Sequence, residues 1–178
     1  MAETKEQLVV QPAAGYAQSL ATALWRLQDA RARTLNALKQ VSEGEVDWQA
    51  DGLQNSIGTL LYHIAAIELD WLHEEVLQQP WTPAIESLFP YPVRDEDGHL
   101  HPVRQVSLRE HLERLAQTRQ HFLSSVQAMT EADYRRAREL PRYAVSPEWV
   151  LHHLAQHEAE HRGEILTIRT LYKASGSA

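Results

Sequence analysis

SPEWVLHHLAQHEAEHRGEILTIRTLY, residues Ser146 to Tyr172, decides how this chain reads. It opens as a helix opens. Ser146 is a good N-cap, Pro147 suits the first helical position, and Glu148 places negative charge at the positive end of the dipole. At helical spacing one stripe runs Val150, Leu154, His157, His161, Ile165, Ile168, Tyr172. It is an apolar face with two histidines set into it one turn apart. Such an i, i+4 pair has its Cβ atoms about 5–6 Å apart, so both imidazoles reach one ion. An unpartnered imidazole at a core position costs roughly 1–3 kcal/mol in lost hydrogen bonding. Two on one stripe call for a partner, and a divalent metal or a buried carboxylate such as Glu68 or Asp70 would serve.

Outside this stretch, 178 residues suit one domain of 1–178 with a real core. A net charge of −7 argues against a nucleic-acid surface, which needs a basic patch. The absence of cysteine removes disulfides, thiolate metal sites and cysteine nucleophiles. MAETKEQLVV lacks an apolar core behind a basic start, so no signal peptide is expected. The longest apolar stretch, Ile57 to Ile67, is too short for a bilayer and is interrupted by His63. A cytoplasmic protein with no membrane partner is the expectation.

In chain order, 1–12 reads as a loose leader. From Ala13 to Lys39, Leu20, Leu24, Leu27, Leu35 and Leu38 recur at helical spacing. Arg31 lies near that stripe and is expected to pack its stem and show its head to solvent. A second helix is expected from Ser56 to Gln78, with His63 on or beside its apolar side and Glu68, Asp70, Glu74 and Glu75 on the other. Residues 80–104 hold five of the eight prolines and an Asp97-Gly98 turn that suits a small hairpin. His99 and His101 read as exposed there, and so long a connection suggests a crossover or a functional loop. The third helix runs from Ser107 to Met129. Ser107 and Glu110 form its capping box, and His111 and His121 read as solvated or boundary residues. A polar connector, Thr130 to Val145, leads into the last helix. Four helices with one long middle connection predict an all-α bundle with a crossover between helices 2 and 3.

A catalytic metal site needs three protein ligands and an open position. His63, inside an apolar helix, is the best-placed third ligand. His153 competes, but three consecutive turns of one helix converge poorly on one ion. HEAEH at 157–161 matches the H-E-x-x-H of zinc peptidases. The extended peptidase pattern would need glycine at 164 and histidine at 167, where this chain has Glu164 and Thr167. Glu158 with His161 also matches half of a di-iron bundle's Glu-x-x-His pair, and no other helix supplies the second half. Arg162 at i, i+4 suits a pair with Glu158, or alternatively could reach an anionic group near the metal. Gly163 costs the helix about 1 kcal/mol against alanine, which a close helix approach would explain.

QHEAEHRGEI at 156–165 resembles the closing H-x-x-x-H-R-G signature of the DinB-like family of metal-binding four-helix bundles. NSIGTLLYHIAAIELDWL at 55–72 resembles that family's earlier histidine helix. The resemblance spans essentially the whole chain. It implies an up-down-down-up bundle, commonly a homodimer, with His63, His157 and His161 as ligands of a divalent metal. Zinc, nickel and iron all accept an all-histidine site. The family pattern departs here at Glu164, where glutamine is frequent, and at Glu160, where histidine is. The resemblance implies a metal-dependent enzyme, with S-transfer from a low-molecular-weight cellular thiol to a small-molecule substrate as the leading reaction. The alternatives are metal-dependent hydrolysis and a non-catalytic, stress-associated metal-binding bundle. Glu158 and Asp70 are the candidates for orienting a ligand histidine or moving a proton.

Overall fold

The computed structural model describes residues 8–176, and the first seven residues of the expected leader lie outside them. Residues 8–12 belong to no helix or strand. Helix α1 spans Gln18–Ala37, and a short α2, Glu43–Val46, follows it. Helix α3, Ile57–Trp71, continues into a π-helical turn, Leu72–Leu77. Gln78 stops that turn with a left-handed backbone at φ 53°. The long connection carries α4, Pro83–Glu86, and a bridge between Arg94 and Leu100 that closes around Gly98. Then come α5, Leu108–Val126, and α6, Glu131–Arg135. Strands β1, Arg138–Glu139, and β2, Ala144–Val145, pair antiparallel ahead of α7, Pro147–Ala174. The protein is therefore mostly helical, an all-α fold with one two-residue ladder. The polar connector, Thr130 to Val145, holds both α6 and that ladder.

The helix starts obey local chemistry. Ser56 Oγ accepts from Thr59 N–H and Ser146 Oγ from Trp149 N–H, with Pro147 in the first turn. Ser107 and Glu110 exchange the reciprocal bonds of a capping box. Each of these satisfies backbone donors that the first turn leaves without intrahelical partners.

Helix α1 packs on α7, and α3 packs on both α5 and α7. Their apolar faces make two buried clusters. One gathers Leu20, Leu24, Leu27, Leu69, Leu72, Phe122, Val150 and Leu154. The other gathers Leu38, Ile57, Leu61, Ile64, Leu115, Ile165 and Ile168. On each long helix one buried charged residue falls in sequence between the two clusters: Arg31, Glu68, Arg119 and Glu158. They meet. Arg31 Nε donates to Glu158 Oε1 and its Nη2 to Glu68 Oε2, both at 2.7 Å. Arg119 donates to Glu68 at 2.6 Å and to Glu158 at 3.2 Å. All four are buried, Arg31 at 6% exposure and Glu158 at 1%.

This network corrects two expectations. Arg31 does not show its head to solvent, because two carboxylates and the Leu115 carbonyl use its donors. Glu158 pairs with Arg31 and Arg119 rather than with Arg162. His111 is also buried rather than solvated, and Leu35 is exposed while Thr34 beside it is buried.

Two glycines behave oppositely. A Cβ on Gly58 would lie 3.0 Å from His111 Nε2 and 3.1 Å from Val46 Cγ1, so glycine permits a close approach there. A Cβ on Gly163 would meet nothing within 4 Å, and no close helix approach explains that residue. Gly163→Ala is therefore expected to stabilise the fold by about 1 kcal/mol through helix propensity alone. Thermal melting checks this, and a lower Tm would show that the position needs glycine for another reason.

Candidate metal centre

Three imidazoles from two helices converge. His63 comes from the middle of α3, and His157 and His161 come from successive turns of α7. His157 Nε2 lies 3.1 Å from His63 Nε2 and 3.1 Å from His161 Nε2. One ligand atom from each ring falls within 4.8 Å of the other two. His63 is buried and the α7 pair is partly buried, so the group opens toward one side.

Electrostatics keeps these nitrogens available. Burial first, then the charges of His157, His161 and Arg94, holds His63 at about 3. Burial, with His161, His153 and Arg94, holds His157 at about 3 as well. Both rings are neutral at pH 7 and can offer lone pairs. The third ring is oriented by Glu164, whose Oε1 accepts from His161 Nδ1 at 2.8 Å. That bond seats a proton on Nδ1, so in the neutral ring Nε2 presents its lone pair to the group.

Protons alone do not satisfy this arrangement. His157 Nε2 takes part in both 3.1 Å contacts and has either one N–H or one lone pair to offer. A cation bound about 2.0–2.1 Å from each nitrogen would hold tetrahedral ligand atoms about 3.3–3.4 Å apart, close to the spacing here. The donor set fits a divalent metal of the borderline kind that imidazole prefers.

Each expected site residue has a definite place. His63 is the histidine brought to the α7 pair. His153 instead stacks on Trp149, with ring centroids 5.0 Å apart and planes at 13°, and stays outside the convergent group. Both Glu158 oxygens are taken by arginines. Asp70 is exposed and makes no hydrogen bond to these histidines among the described residues. His99 is exposed beside Asp95, as expected, while His101 is partly buried against Tyr91. His121 is partly buried too, its Nε2 3.1 Å from that of His73.

Sequence reasoning missed two participants. Glu164 read only as a departure from a pattern, although its spacing of three from His161 was a signal. Arg94 lies in the loop, with its Nη1 on the Gly98 carbonyl at 2.8 Å, and its charge acts on both His63 and His157. No local pattern marked it.

Removing the Glu164 carboxylate tests its part in the group. Glu164→Ala is expected to weaken zinc binding roughly 10- to 100-fold while leaving the fold intact, since the residue is exposed. A competition titration against a chromophoric chelator reads this, and unchanged affinity would remove Glu164 from the site.

Fold and site together define a helical protein with a three-histidine group able to hold a metal ion. The family model of the DinB superfamily matches residues 26–165, and the chain belongs to that superfamily. No curated protein matches the chain.

Proposed function

We propose that this protein is a metal-dependent enzyme that binds one divalent ion through His63, His157 and His161 and transfers a low-molecular-weight thiol to a small electrophile. The observation that carries the metal part is the convergence of three Nε2 atoms from α3 and α7 on one point. The thiol part rests on the family resemblance. When bound, a divalent ion supplies Lewis acidity that lowers the pKa of a thiol or water meeting it. The chain's own residues do the remainder. Glu164 holds the His161 tautomer, burial keeps His63 and His157 unprotonated, and Arg94 offers positive charge to an anionic group arriving at the open side.

Residue pairs along the helices support the up-down-down-up arrangement as part of the same proposal. Gly58 meets His111 and His73 meets His121, so α3 and α5 run the same way. His63 meets His157 while Trp71 meets Trp149, so α3 and α7 run oppositely. Arg31 meets Glu158 and Ala37 meets Arg169, so α1 and α7 run the same way. No helix among the described residues is long and apolar enough to cross a membrane. A single domain, a homodimeric state and a cytoplasmic location complete the reading.

Elemental analysis of tag-free protein, wild type beside His63→Ala and His157→Ala, is the test. About one metal per chain is expected in the wild type and almost none in either variant. The metal-loaded wild type should then consume a cellular thiol together with an electrophile, and His157→Ala should not. Absence of stoichiometric metal after reconstitution would sink the proposal. Metal without turnover would leave a binding protein.

A further inference from the structure

A cavity lies along α3 and α7 from the histidine group. It encloses about 640 Å³ and is lined by Trp71, Tyr143, Val145 and Trp149, with Arg135 and Ser146 among its polar residues. Its size suits a small molecule, since ligand clefts run roughly 300–1,000 Å³. Trp149 is 49% exposed and Tyr143 46%, an unusual amount of aromatic surface left to water in one place. The two tryptophan rings stand 5.3 Å apart at 31°, and His153 backs both of them at 4.5 and 5.0 Å.

Behind this aromatic wall sits uncompensated negative charge. Tyr143 donates its hydroxyl to Glu75 Oε1 at 2.6 Å. Glu75 is only 7% exposed, and its other oxygen, Oε2, is buried without a hydrogen-bond partner. Asp70 and Glu74 share its stretch of helix. Burial pushes the Glu75 carboxyl up, and the charges of Asp70 and Glu74 push the same way against the Tyr143 hydrogen bond. Asp70, though exposed on the whole, is pushed up too, by partial desolvation of its carboxyl and by the charge of Glu74. Among the described residues no arginine, lysine or histidine pairs with any of the three. The one cation lining the cleft, Arg135, is already held by Glu131 at 3.0 Å and by Ser19 at 2.9 Å.

We infer that the cleft binds a small organic cation, with its ammonium head seated against the rings of Trp71, Tyr143 and Trp149 and Glu75 as the counter-charge. The chemistry selects this occupant over two others. An anion would meet the field of Glu75 and Asp70, both of which act on Tyr143. A neutral apolar group would gain the apolar walls but nothing from the Glu75 carboxyl that Tyr143 holds behind them. A cation gains the ring quadrupoles and the pull of the carboxylate together. None of the three convergent histidines lines the cleft, so this inference stands whether or not a metal is bound.

Calorimetry with choline and with its uncharged carbon isostere, 3,3-dimethyl-1-butanol, tests it. Choline is expected to bind at least about tenfold more tightly than the isostere. Trp149→Ala and Glu75→Gln are each expected to weaken choline about tenfold or more. The first residue is half in water and the second substitution keeps an acceptor for Tyr143, so both variants should fold, which circular dichroism verifies. His157→Ala should bind choline as the wild type does. Equal binding of choline and the isostere, no choline heat, or indifference to Glu75→Gln would overturn the inference. So would loss of choline binding in His157→Ala, which would place the cation at the histidine group instead.

Discussion

Glu68→Ala is expected to destabilise this protein by roughly 3–5 kcal/mol, the cost of leaving buried charge unpaired. At about 2–4 °C per kcal/mol for a chain of this size, Tm should fall by about 6–20 °C. The reason lies in the arithmetic of the network. Two arginines and two glutamates balance to zero net charge, and Glu68 accepts from Arg31 Nη2 at 2.7 Å and from Arg119 at 2.6 and 2.9 Å. Its removal leaves Glu158 alone against two buried guanidiniums. The carbonyls of Leu115 and Leu27 satisfy one donor on each arginine but carry no charge. Replacing all four residues by apolar ones of similar volume should cost far less than the single change, because no charge is then stranded. Thermal and urea melts of both variants decide it. A Glu68→Ala protein melting within a degree or two of wild type would mean the network is hydrated and weak. Since Glu68 lies five residues beyond His63 and Glu158 directly follows His157, the same variant should also loosen the joint that holds the two ligand helices in register.

Acid should unfold the metal-free protein cooperatively as pH falls from 6.5 toward 4, the second large effect expected. His111 is buried at 1% exposure and burial, with the Arg114 charge, holds it at about 4. His63 is held lower still, at about 3. Both have folded values below the ordinary 6.5, so in this window the unfolded chain binds more protons than the native one. Their stability contribution is complete above pH 6.5 and drains as pH falls, at about 1.4 kcal/mol per pH unit for each histidine. Together they remove at most about 8 kcal/mol, roughly 3 from His111 and 5 from His63, which exhausts a stability in the lower half of the usual range of about 5–15 kcal/mol. Glu68 acts in a lower window. Burial alone would raise its carboxyl, but Arg119 and Arg31 overcome that and hold it below the ordinary range. Its share is present above pH ~4.5 and goes only as pH drops through its folded value. Urea melts at successive pH values read the slope. His111→Gln should flatten it by about one histidine's worth, and an unchanged slope would show that His111 is not the titrating group. Added zinc should shift the transition to lower pH, since ligand binding to the native state opposes protonation of His63.

The sequence alone was enough for where the long helices start and for which residues share their faces. The caps at Ser107 and Ser146, the spans of the long helices and the i, i+4 placement of His157 and His161 follow from local propensity and periodicity, which act within one or two turns. The DinB superfamily was legible from residues 55–72 and 156–165 for the same reason, since each segment lies almost wholly within one helix. What only the tertiary structure decided is which faces meet. Arg31 is a partly hydrated side chain on any isolated helix. It becomes a buried cation because Glu68 and Glu158 arrive from α3 and α7. His111 looks amphipathic in sequence and is buried because Gly58 lets α3 close on it. Glu164 gains its role from the rotation of α7 that turns His161 inward, and Trp71, Tyr143 and Trp149 form one cleft only where α3, α7 and the β1–β2 ladder come together. A chain encodes its local turns in adjacent residues, whereas charge compensation and cavity shape come from side chains far apart in sequence that share a place only after the helices pack.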